Sequence, residues 1–469
     1  MIVMKFGGTS TQDAAAMLNV TQIVKSNRDK KPVVVISAIA QATNQLETIG
    51  KLAKENKIGE AEEILKKFIN RHYDILDQTI DDGERRAVIE SRLKSSQTEI
   101  TDLIRGVAIL RELTPKTLDR FYSYGELLSS SLVCAIMQEA NLSAVWLDTK
   151  DFMITDGNFN RAMPVMEVVE QKLQPVALSL LGAGKIIVTQ GFIGATASGE
   201  RTTMGRESSD YSAAVIGAVL NADDVQIWTD VDGILTGDPS LVDNPKKNKV
   251  LTFDEAYELS IFGAKVLHPN TMLPALDKNI PIHVFNSKRP KLTGTLITNV
   301  CPEDRRTNQK SILKSITYKK GITLINVVPK QRYSRFVFWE HIYNVFTEYN
   351  ITPLLSSTSE SKFTAAISTP TSIDSLLHEI ADIGTVKLDN QLALVSLVGD
   401  NLRRDSKLLE SIMVEISDID VSYLSFGVSD SSLNLLIGEE FVEKAVRKLH
   451  KIFFENDKNN DYFDSLQPS

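Results

Sequence analysis

Cysteine is scarce in this sequence, and no uninterrupted apolar run is long enough to span a membrane. Cys134 and Cys301 are the two cysteines among 469 residues, and neither lies near a cluster of His and Cys. This scarcity excludes a disulfide framework and a structural zinc site, and it is typical of a reducing compartment. The first residues also lack the basic segment and apolar stretch of a signal peptide. We therefore expect a cytoplasmic protein with no membrane partner.

An excess of basic residues is missing too. The 52 Lys and Arg residues against 60 Asp and Glu residues give a net charge of −8, which is spread along the chain. Because no cationic stripe is present, we expect no nucleic acid as a partner. What the sequence does have is an apolar fraction of 42% and a length that calls for two or three domains.

The first three-fifths of the sequence alternate short β-branched runs with helical patterns. Buried strands are predicted at residues 2–6, 33–37, 144–148, 185–190, 225–230 and 282–285. An apolar stripe over residues 13–25 predicts an amphipathic helix between two of them. This alternation indicates an α/β fold with a mostly parallel sheet covered on both sides. The charged segment 52–110 has a helical pattern without strands, so we interpret residues about 50–125 as a helical insertion.

The pattern changes after a charged connector at residues 299–312. Two units of short strands and helices follow, over residues 313–390 and 391–469, and they resemble divergent copies of one small α+β module. The predicted plan is therefore a catalytic-sized α/β domain at residues 1–298 followed by two paired modules.

The first candidate motif is a buried strand that ends in Lys-Phe-Gly-Gly-Thr-Ser at residues 5–10. Glycines let backbone amides approach an anion, and the helix that follows contributes a partial positive charge at its N-terminus. We predict Ser10 or Thr11 as the cap of that helix. With the charge of Lys5 these features are typical of a polyphosphate site, although a bare Gly-Gly turn more often has no function.

The second motif places Arg206 just before a helix that Ser208 or Ser209 caps. A forked guanidinium there can bind a carboxylate through two hydrogen bonds. Asp210, in the first turn, is on its own better explained as a partner of the helix dipole.

The third motif is an acidic turn, Trp228–Pro239, after a predicted strand. Such a turn can hold a nucleotide or its metal, or it can be a polar surface turn.

The remaining candidates are single residues and one loop. Lys265 can reach phosphates or complement the end of its helix. Residues 37–44 leave a buried strand in a run of small side chains, as a substrate loop does. Glu126 can pair with an ammonium group or face solvent from a helix.

Taken together, these motifs resemble those of one family over nearly the whole chain. The sequence is similar to the aspartate kinases of the amino-acid kinase superfamily. The similarity rests on the segments at 5–10, Gly-Phe-Ile-Gly at 191–194, Arg-x-x-Ser-Asp-Tyr-Ser-Ala-Ala at 206–214, Trp-Thr-Asp-Val at 228–231 and Phe-Gly-Ala-Lys-Val-Leu-His-Pro at 262–269. The two C-terminal modules resemble the paired ACT modules of those kinases.

The resemblance implies a three-layer α/β/α amino-acid-kinase sandwich followed by two ferredoxin-like ACT modules. It implies transfer of the γ-phosphate of ATP, with Mg²⁺, to the side-chain carboxylate of L-aspartate, the first step of lysine, threonine and methionine biosynthesis. It also implies a homodimer and an amino-acid effector at the ACT modules. Because the sequence stops after the second module, we expect a monofunctional enzyme.

Residue roles follow from the same resemblance. Lys5 and Asp210 are the implied catalytic residues, with Lys5 on the transferring phosphoryl group and Asp210 orienting it. The implied substrate-binding residues are Ser37, Thr43, Glu126, Arg206 and Ser209. The implied nucleotide-binding residues are Lys5, Phe6, Gly7, Gly8, Thr229, Asp230, Leu235, Thr236, Asp238, Ser240, Lys265 and Val266. No metal-ligating side chain is assigned.

Several positions depart from the family pattern. Leu235 replaces the usual aromatic residue and Ser240 the usual arginine, while Glu207 and Ser208 replace a Gly-Gly pair, so nucleotide affinity or base preference is expected to differ. Leu354 stands where lysine-inhibited relatives carry Asp. The facing loop has Arg332, Ser334, Arg335 and Val337 in place of its usual Met, His, Ser and Gly. Because a cationic loop without an acidic partner binds an ammonium group poorly, we expect weak or absent inhibition by lysine.

Two alternatives stay open at this point. One is a sibling kinase that acts on glutamate, acetylglutamate, carbamate or UMP. The other is a catalytically impaired, amino-acid-sensing protein of the same fold. The pairing of Arg206 with Glu126 favours a free amino acid as substrate.

Overall fold

The computed structural model describes residues 1–81, 83–205, 208–264, 269–299, 312–330, 335–369, 373–455 and 462–466. Its strands, in chain order, are β1 (Ile2–Phe6), β2 (Pro32–Ile36), β3 (Ala144–Trp146), β4 (Ile186–Gln190), β5 (Ile193–Ala195), β6 (Arg201–Thr203), β7 (Asp224–Thr229), β8 (Lys246–Asn248), β9 (Val250–Leu251), β10 (Ile282–Asn286), β11 (Thr295–Ile297), β12 (Ile312–Pro329), β13 (Leu355–Thr358), β14 (Phe363–Ser368), β15 (Gly384–Asp400), β16 (Val421–Ser425), β17 (Ser432–Gly438) and β18 (Phe463–Ser465).

Its α-helices are α1 (Ala14–Ser26), α2 (Ala42–Lys54), α3 (Ile58–Thr79), α4 (Glu84–Leu110), α5 (Pro115–Glu139), α6 (Met166–Gly182), α7 (Ser209–Leu220), α8 (Phe253–Ile261), α9 (Pro269–Asp277), α10 (Arg335–Glu348), α11 (Asp374–Ile383), α12 (Ser406–Glu415) and α13 (Val442–His450). Across the described residues, every helix is too short or too polar to cross a lipid bilayer.

The chain divides into two units. The first comprises Met1–Ile234 and Leu267–Asn299, and the second comprises Leu235–Val266 and Val300–Ser469. Residues 235–266 therefore fold with the C-terminal part, although the sequence places them within the predicted catalytic domain. The predicted boundaries at 298, 312 and 390 stay predictions.

A parallel sheet forms the centre of the first unit, with its strands in the order β3-β4-β2-β1-β7-β10-β11. All of these strands run parallel except β11, which is antiparallel to β10. The six strands predicted in this region are all present, with ends within two residues of the prediction. The central strand β1 lies between β2 and β7, so the segment after Phe6 emerges in the middle of the sheet edge.

Helices cover both faces of this sheet because alternate residues of β1 point to opposite sides. Met4 and Phe6 are buried in a large apolar cluster with residues of α1 to α5. Val3 points the other way, toward α7, where a Cβ on Gly217 would lie 3.8 Å from Val3 Cγ2 and 2.6 Å from Val225 Cγ2. Glycine is thus needed for α7 to pack this closely on the sheet, and the result is the expected three-layer sandwich. The predicted helical insertion corresponds to the end of α2, to α3 and α4, and to the first part of α5.

An antiparallel sheet dominates the second unit, with its strands in the order β13-β14-β12-β15-β17-β16. Strands β12 and β15 are 18 and 17 residues long, and they pair from Ile312–Asp400 to Pro329–Gly384. The sequence predicts only the segments 322–327 and 392–398 of these strands. Gly321 has φ +71° and is accommodated as a bulge between paired residues.

An apolar cluster with Leu324, Leu394 and Leu436 lies on one face of this sheet, and two separate apolar cores lie on the other face. One contains residues of α10 and α11, among them Ile342 and Ile380. The other contains residues of α12 and α13, among them Ile412 and Leu449. Helix α8 begins with the predicted capping box, in which Thr252 and Glu255 exchange hydrogen bonds.

Candidate active site

Lys5 and Asp210 meet beside the carboxyl end of β1. Lys5 is the penultimate residue of that strand, and Asp210 is the second residue of α7. Lys5 Nζ lies 2.6 Å from Asp210 Oδ1, and the two side chains are 12% and 11% exposed. The structure therefore joins the two residues that the sequence predicts as catalytic, and it presents them as a largely desolvated ion pair.

The Gly-Gly turn after β1 is held tightly by its neighbours. The Gly7 amide donates to the Trp228 carbonyl oxygen at 3.1 Å, so it continues the β1–β7 ladder. A Cβ on Gly8 would lie 3.0 Å from Ala38 O and 3.3 Å from Ala40 N, both backbone atoms. Gly8 also begins a 3₁₀ helix, Gly8–Thr11, whose leading N–H groups have no carbonyl partner within that helix. Of the two amides predicted for phosphate, Gly8 is the better candidate.

The predicted cap of α1 was wrong, whereas Ser208 is at the predicted N-cap position of α7. Asp13, and neither Ser10 nor Thr11, caps α1 by accepting from the Ala16 amide at 2.8 Å. Ser10 Oγ instead donates to Ser287 Oγ at 2.8 Å. Ser208 occupies the N-cap position of α7, but its hydroxyl donates to the Gly205 carbonyl oxygen rather than accepting from the helix.

Glu126 is a buried carboxylate with one oxygen in use. It lies on α5, its residue is 3% exposed, and its Oε1 accepts from the Ala38 amide at 3.1 Å. Oε2 is buried and has no hydrogen-bond partner among the described residues. Burial raises the pKa of Glu126 to about 8, although the Ala38 amide and the charge of Lys5 lower it. A buried acid with a vacant oxygen is suited to an ammonium group that arrives with a ligand.

The other predicted substrate residues lie on the same edge or just inside it. Ser37 follows β2 directly and is 8% exposed, and its carbonyl oxygen accepts from Ser129 Oγ at 2.8 Å. Thr43 is half-buried in the first turn of α2. Ser209 begins α7, and a Cβ on Gly191 would lie 2.7 Å from Ser209 Cβ, so the chain at Gly191 passes directly against it.

The end of β7 brings Thr229 and Asp230 to this edge as well. The Thr229 carbonyl oxygen accepts from the Ser287 amide at 2.8 Å, and Asp230 is exposed. Phe6, predicted for the nucleotide, is fully buried and stacks on Trp228 with ring centroids 5.9 Å apart. The Phe6 side chain is therefore a core residue, and a contact of Phe6 with the nucleotide stays a prediction.

Two buried acids make contacts that the sequence analysis did not predict: Asp232, in the acidic turn after β7, and Asp119, on α5. Asp232 accepts from Asn286 Nδ2 at 2.6 Å and pairs with Arg289, which fixes the turn after β7. Asp119 is fully buried on α5 and accepts from Thr203 Oγ1 at 2.6 Å and from the Thr203 and Asn160 amides at 2.9 Å each. Burial raises the pKa of Asp119. Both acids pair with residues 41 or more positions away, and the sequence carries no local signal for such contacts.

Four predicted nucleotide residues belong to the second unit. Thr236 Oγ1 lies 2.9 Å from His450 Nε2, and the Thr236 carbonyl oxygen accepts from the Ile316 amide at 2.9 Å. Asp238 accepts from the Ser240 hydroxyl at 2.7 Å and from the Tyr318 hydroxyl at 3.0 Å. The Leu235 carbonyl oxygen accepts from Ser315 Oγ at 2.8 Å. Within this unit the four residues belong to one segment, 235–240, which is hydrogen-bonded to β12.

The predictions for Arg206, Lys265 and Val266 lie outside the described residues, as do those for Arg332 and Ser334. Their roles stay predictions.

The described edge combines a paired lysine, a glycine turn in which the Gly8 amide is the candidate donor, and a buried acid. This set can bind an anion and an ammonium group side by side, as a kinase for a small amino acid must. A model of the amino acid kinase family matches residues 1–286, and the chain belongs to that family.

Relatives narrow this assignment. Lysine-sensitive aspartokinase 3 of Escherichia coli (strain K12) is 33% identical over 97% of this chain and 99% of its own length. Chloroplastic aspartokinase 2 of Arabidopsis thaliana is 32% identical over 97% of this chain and 84% of its own length. The crystal structure of E. coli aspartokinase III with aspartate and ADP matches with a TM-score of 0.86 and 31% identity, covering 97% of this chain and 100% of that one. Within the family, the chain belongs with the aspartokinases.

Proposed function

We propose that this protein transfers the γ-phosphoryl group of ATP to the side-chain carboxylate of L-aspartate, yielding 4-phospho-L-aspartate and ADP. The observation that carries this proposal is Glu126, a buried acid with one oxygen that has no hydrogen-bond partner among the described residues. The positive charge of Lys5 lowers the pKa of this acid, so the two side chains interact electrostatically. Aspartate has an ammonium group that can pair with Glu126 and a side-chain carboxylate that can accept the phosphoryl group. The aspartokinases described above support the same substrates.

The chemistry asks for charge stabilisation rather than for a base. The side-chain carboxylate of aspartate is already ionised at neutral pH, so it attacks phosphorus without losing a proton. The barrier is dominated by repulsion between two anions and by charge that develops on the leaving β-phosphate. A desolvated lysine and backbone amides lower both contributions.

Each residue has a distinct proposed role. Lys5 binds the transferring phosphoryl group, and Asp210 holds the ammonium group of Lys5 in place. Glu126 binds the ammonium group of aspartate, and the Gly8 amide contacts phosphate oxygens. The hydroxyl groups of Ser37, Thr43 and Ser209 complete the substrate pocket, and Arg206 binds its α-carboxylate. Thr229, Asp230 and Lys265 are proposed for the nucleotide.

Mg²⁺ fits this site as part of the nucleotide. Among the described residues, no three His, Cys, Asp or Glu side chains come together as a metal site. Magnesium in kinases needs only one or two carboxylates because substrate phosphates and water supply the other ligands. Asp230, exposed at the end of β7, is the carboxylate that could hold it. When bound, the ion neutralises phosphate charge.

The C-terminal modules are proposed as the place for an amino-acid effector and for dimer formation. Strands β13 and β16 are the two edges of the antiparallel sheet, and open edges pair readily with another copy. A homodimer is therefore the proposed assembly.

The test is ADP release with Mg-ATP and L-aspartate, run beside L-glutamate and N-acetyl-L-glutamate. Hydroxylamine in a parallel reaction traps the acyl phosphate as a hydroxamate. We expect ADP and hydroxamate in equal amounts, with aspartate as the preferred substrate and with no turnover in Lys5→Met. Tight ATP binding by the folded protein without aspartate-dependent turnover would contradict the proposal.

A further inference from the structure

Arg71, in the helical insertion, donates hydrogen bonds to two loops of the proposed active site. Arg71 lies on α3, which is anchored by buried residues such as Phe68 and His72. Its Nη1 donates to the Ala40 carbonyl oxygen at 2.5 Å, and its Nη2 donates to the Gln12 carbonyl oxygen at 2.7 Å. One planar guanidinium therefore spans two segments of the chain that are 28 residues apart.

These two segments carry the two reactants in the proposed function. Gln12 directly follows the 3₁₀ helix Gly8–Thr11, which is the proposed phosphate-binding turn. Ala40 lies in the loop between Ser37 and Thr43, which faces aspartate. The segments also touch directly, since the Ala40 amide donates to the Gly8 carbonyl oxygen at 3.1 Å.

The loop between Ser37 and Thr43, here called the aspartate loop, contains a strained backbone conformation that the hydrogen bond from Arg71 helps to hold. Gln41, directly after Ala40, has φ +71°, a left-handed conformation that non-glycine residues adopt at a cost. Gln41 is also the N-cap residue of α2, and its side chain makes no capping hydrogen bond. The hydrogen bond from Arg71 to the Ala40 carbonyl is next to the strained residue and opposes its relaxation.

Arg71 stays charged in this role although it is partly desolvated. Desolvation lowers the pKa of Arg71 and the nearby Asp13 carboxylate raises it, but an arginine keeps its proton at any physiological pH. A charged donor makes stronger hydrogen bonds to carbonyl oxygens than a neutral one does. Lysine cannot replace it fully because an ammonium group has no planar fork to reach both carbonyls.

We infer that Arg71 is a positioning residue that sets the separation between the phosphate-binding turn and the aspartate loop. This inference rests on the proposed function. Each ligand keeps its own contacts when Arg71 is lost, so binding of each changes little. The in-line approach of carboxylate to phosphorus depends on the separation, and a shift of about 1 Å can cost on the order of 100-fold in rate.

The experiment compares Arg71→Met, Arg71→Lys and the matched control Arg92→Met by steady-state kinetics. Arg92 lies on α4 of the same insertion, with its guanidinium 4.0 Å from the centroid of the Trp146 ring, and desolvation lowers its pKa as well. For Arg71→Met we expect kcat to fall about 10- to 100-fold, with the KM for ATP and for aspartate each within about threefold. Arg71→Lys should be intermediate, and Arg92→Met should keep the wild-type kcat.

Hydrogen–deuterium exchange supplies a readout that does not need turnover. Peptides covering residues 8–13 and 38–44 should exchange faster in Arg71→Met than in wild type, while peptides from β4 should not. Unchanged kcat and unchanged exchange in Arg71→Met would overturn the inference, as would equal losses in Arg92→Met. If wild type shows no turnover with aspartate, the proposed function fails, and the exchange result alone decides whether Arg71 couples the two loops.

Discussion

Lys5 on β1 and Asp210 on α7 form an ion pair of 2.6 Å, across elements separated by 205 positions in the sequence. Asp210 is in the first turn of α7, where an acid also interacts favourably with the helix dipole, so its role has two possible explanations. If Asp210 acts mainly on Lys5, Asp210→Asn should lower kcat by about 10-fold or more, and Lys5→Met by about 100- to 1,000-fold. Steady-state ADP release measures both.

The control for the Asp210 prediction is another acid in the first turn of a helix. Asp254 occupies that position in α8. Asp254→Asn should leave kcat unchanged, with a loss of stability of about 0.3–1 kcal/mol. If Asp210→Asn and Asp254→Asn have the same effects on kcat and on stability, Asp210 interacts only with the helix dipole and has no role in catalysis.

The buried acid Glu126 predicts a pH dependence of aspartate binding. Burial raises the pKa of Glu126 to about 8, so the free enzyme holds it largely protonated at pH 7. The substrate ammonium group requires the ionised form, hence kcat/KM for aspartate should rise with pH and level off above about pH 8. Calorimetry in buffers of different ionisation enthalpy should detect release of close to one proton on aspartate binding at pH 7. Glu126→Gln should bind aspartate weakly and without this pH dependence.

Folding stability gives an independent check on Glu126. A carboxyl whose folded-state pKa is raised binds its proton more tightly in the native than in the unfolded state. The contribution of Glu126 to the free energy of unfolding therefore declines as pH rises from about 4.5 to about 8. Over this range the melting temperature of Glu126→Gln should rise relative to that of wild type. A difference in melting temperature between Glu126→Gln and wild type that stays constant over this range would contradict the burial argument.

The two adjacent glycines of the phosphate turn should respond differently to alanine. A Cβ on Gly8 meets backbone atoms at 3.0 and 3.3 Å, whereas a Cβ on Gly7 has its nearest neighbours at an ordinary 3.7 Å. Gly7 also has φ −72°, which alanine adopts freely. We expect Gly8→Ala to lose about 1–3 kcal/mol of stability and Gly7→Ala to lose less than about 1 kcal/mol. Denaturant unfolding of both variants decides, and equal losses would contradict the packing argument.

The regulatory response to lysine should differ from that of lysine-sensitive relatives. Leu354, half-buried just before β13, donates its amide to the Ala366 carbonyl oxygen at 2.8 Å and offers no charge to an ammonium group. We expect less than about twofold inhibition by millimolar lysine, and a gain of inhibition in Leu354→Asp, whose carboxylate can pair with the ligand. Inhibition of the wild type at micromolar lysine would refute this prediction.

Sequence patterns captured the elements better than the contacts between them. The strands of the parallel sheet were predicted because each is a short apolar run, and burial on both faces leaves that signature. Local context singled out Lys5, Glu126 and Asp210 as candidates, but only the family resemblance gave each of them a definite role. The contacts of Arg71, Asp119 and Asp232 were not predicted because their partners lie far along the chain, and no helix was predicted at the position of α11.

The shared strands of the antiparallel sheet have a consequence for how the chain can be cut. Ile316 of β12 belongs to the core with α12 and α13, whereas Ile325 of the same strand belongs to the core with α10 and α11. The first module is thus embedded in the sequence of the second, since residues 312–319 precede it and pair with residues 394–400 after it. Lys319 faces Leu394 across the sheet, so a two-residue turn could join them once residues 320–393 are excised. The module nearer the C-terminus would then keep every strand of its own, which a fragment beginning at residue 391 would not.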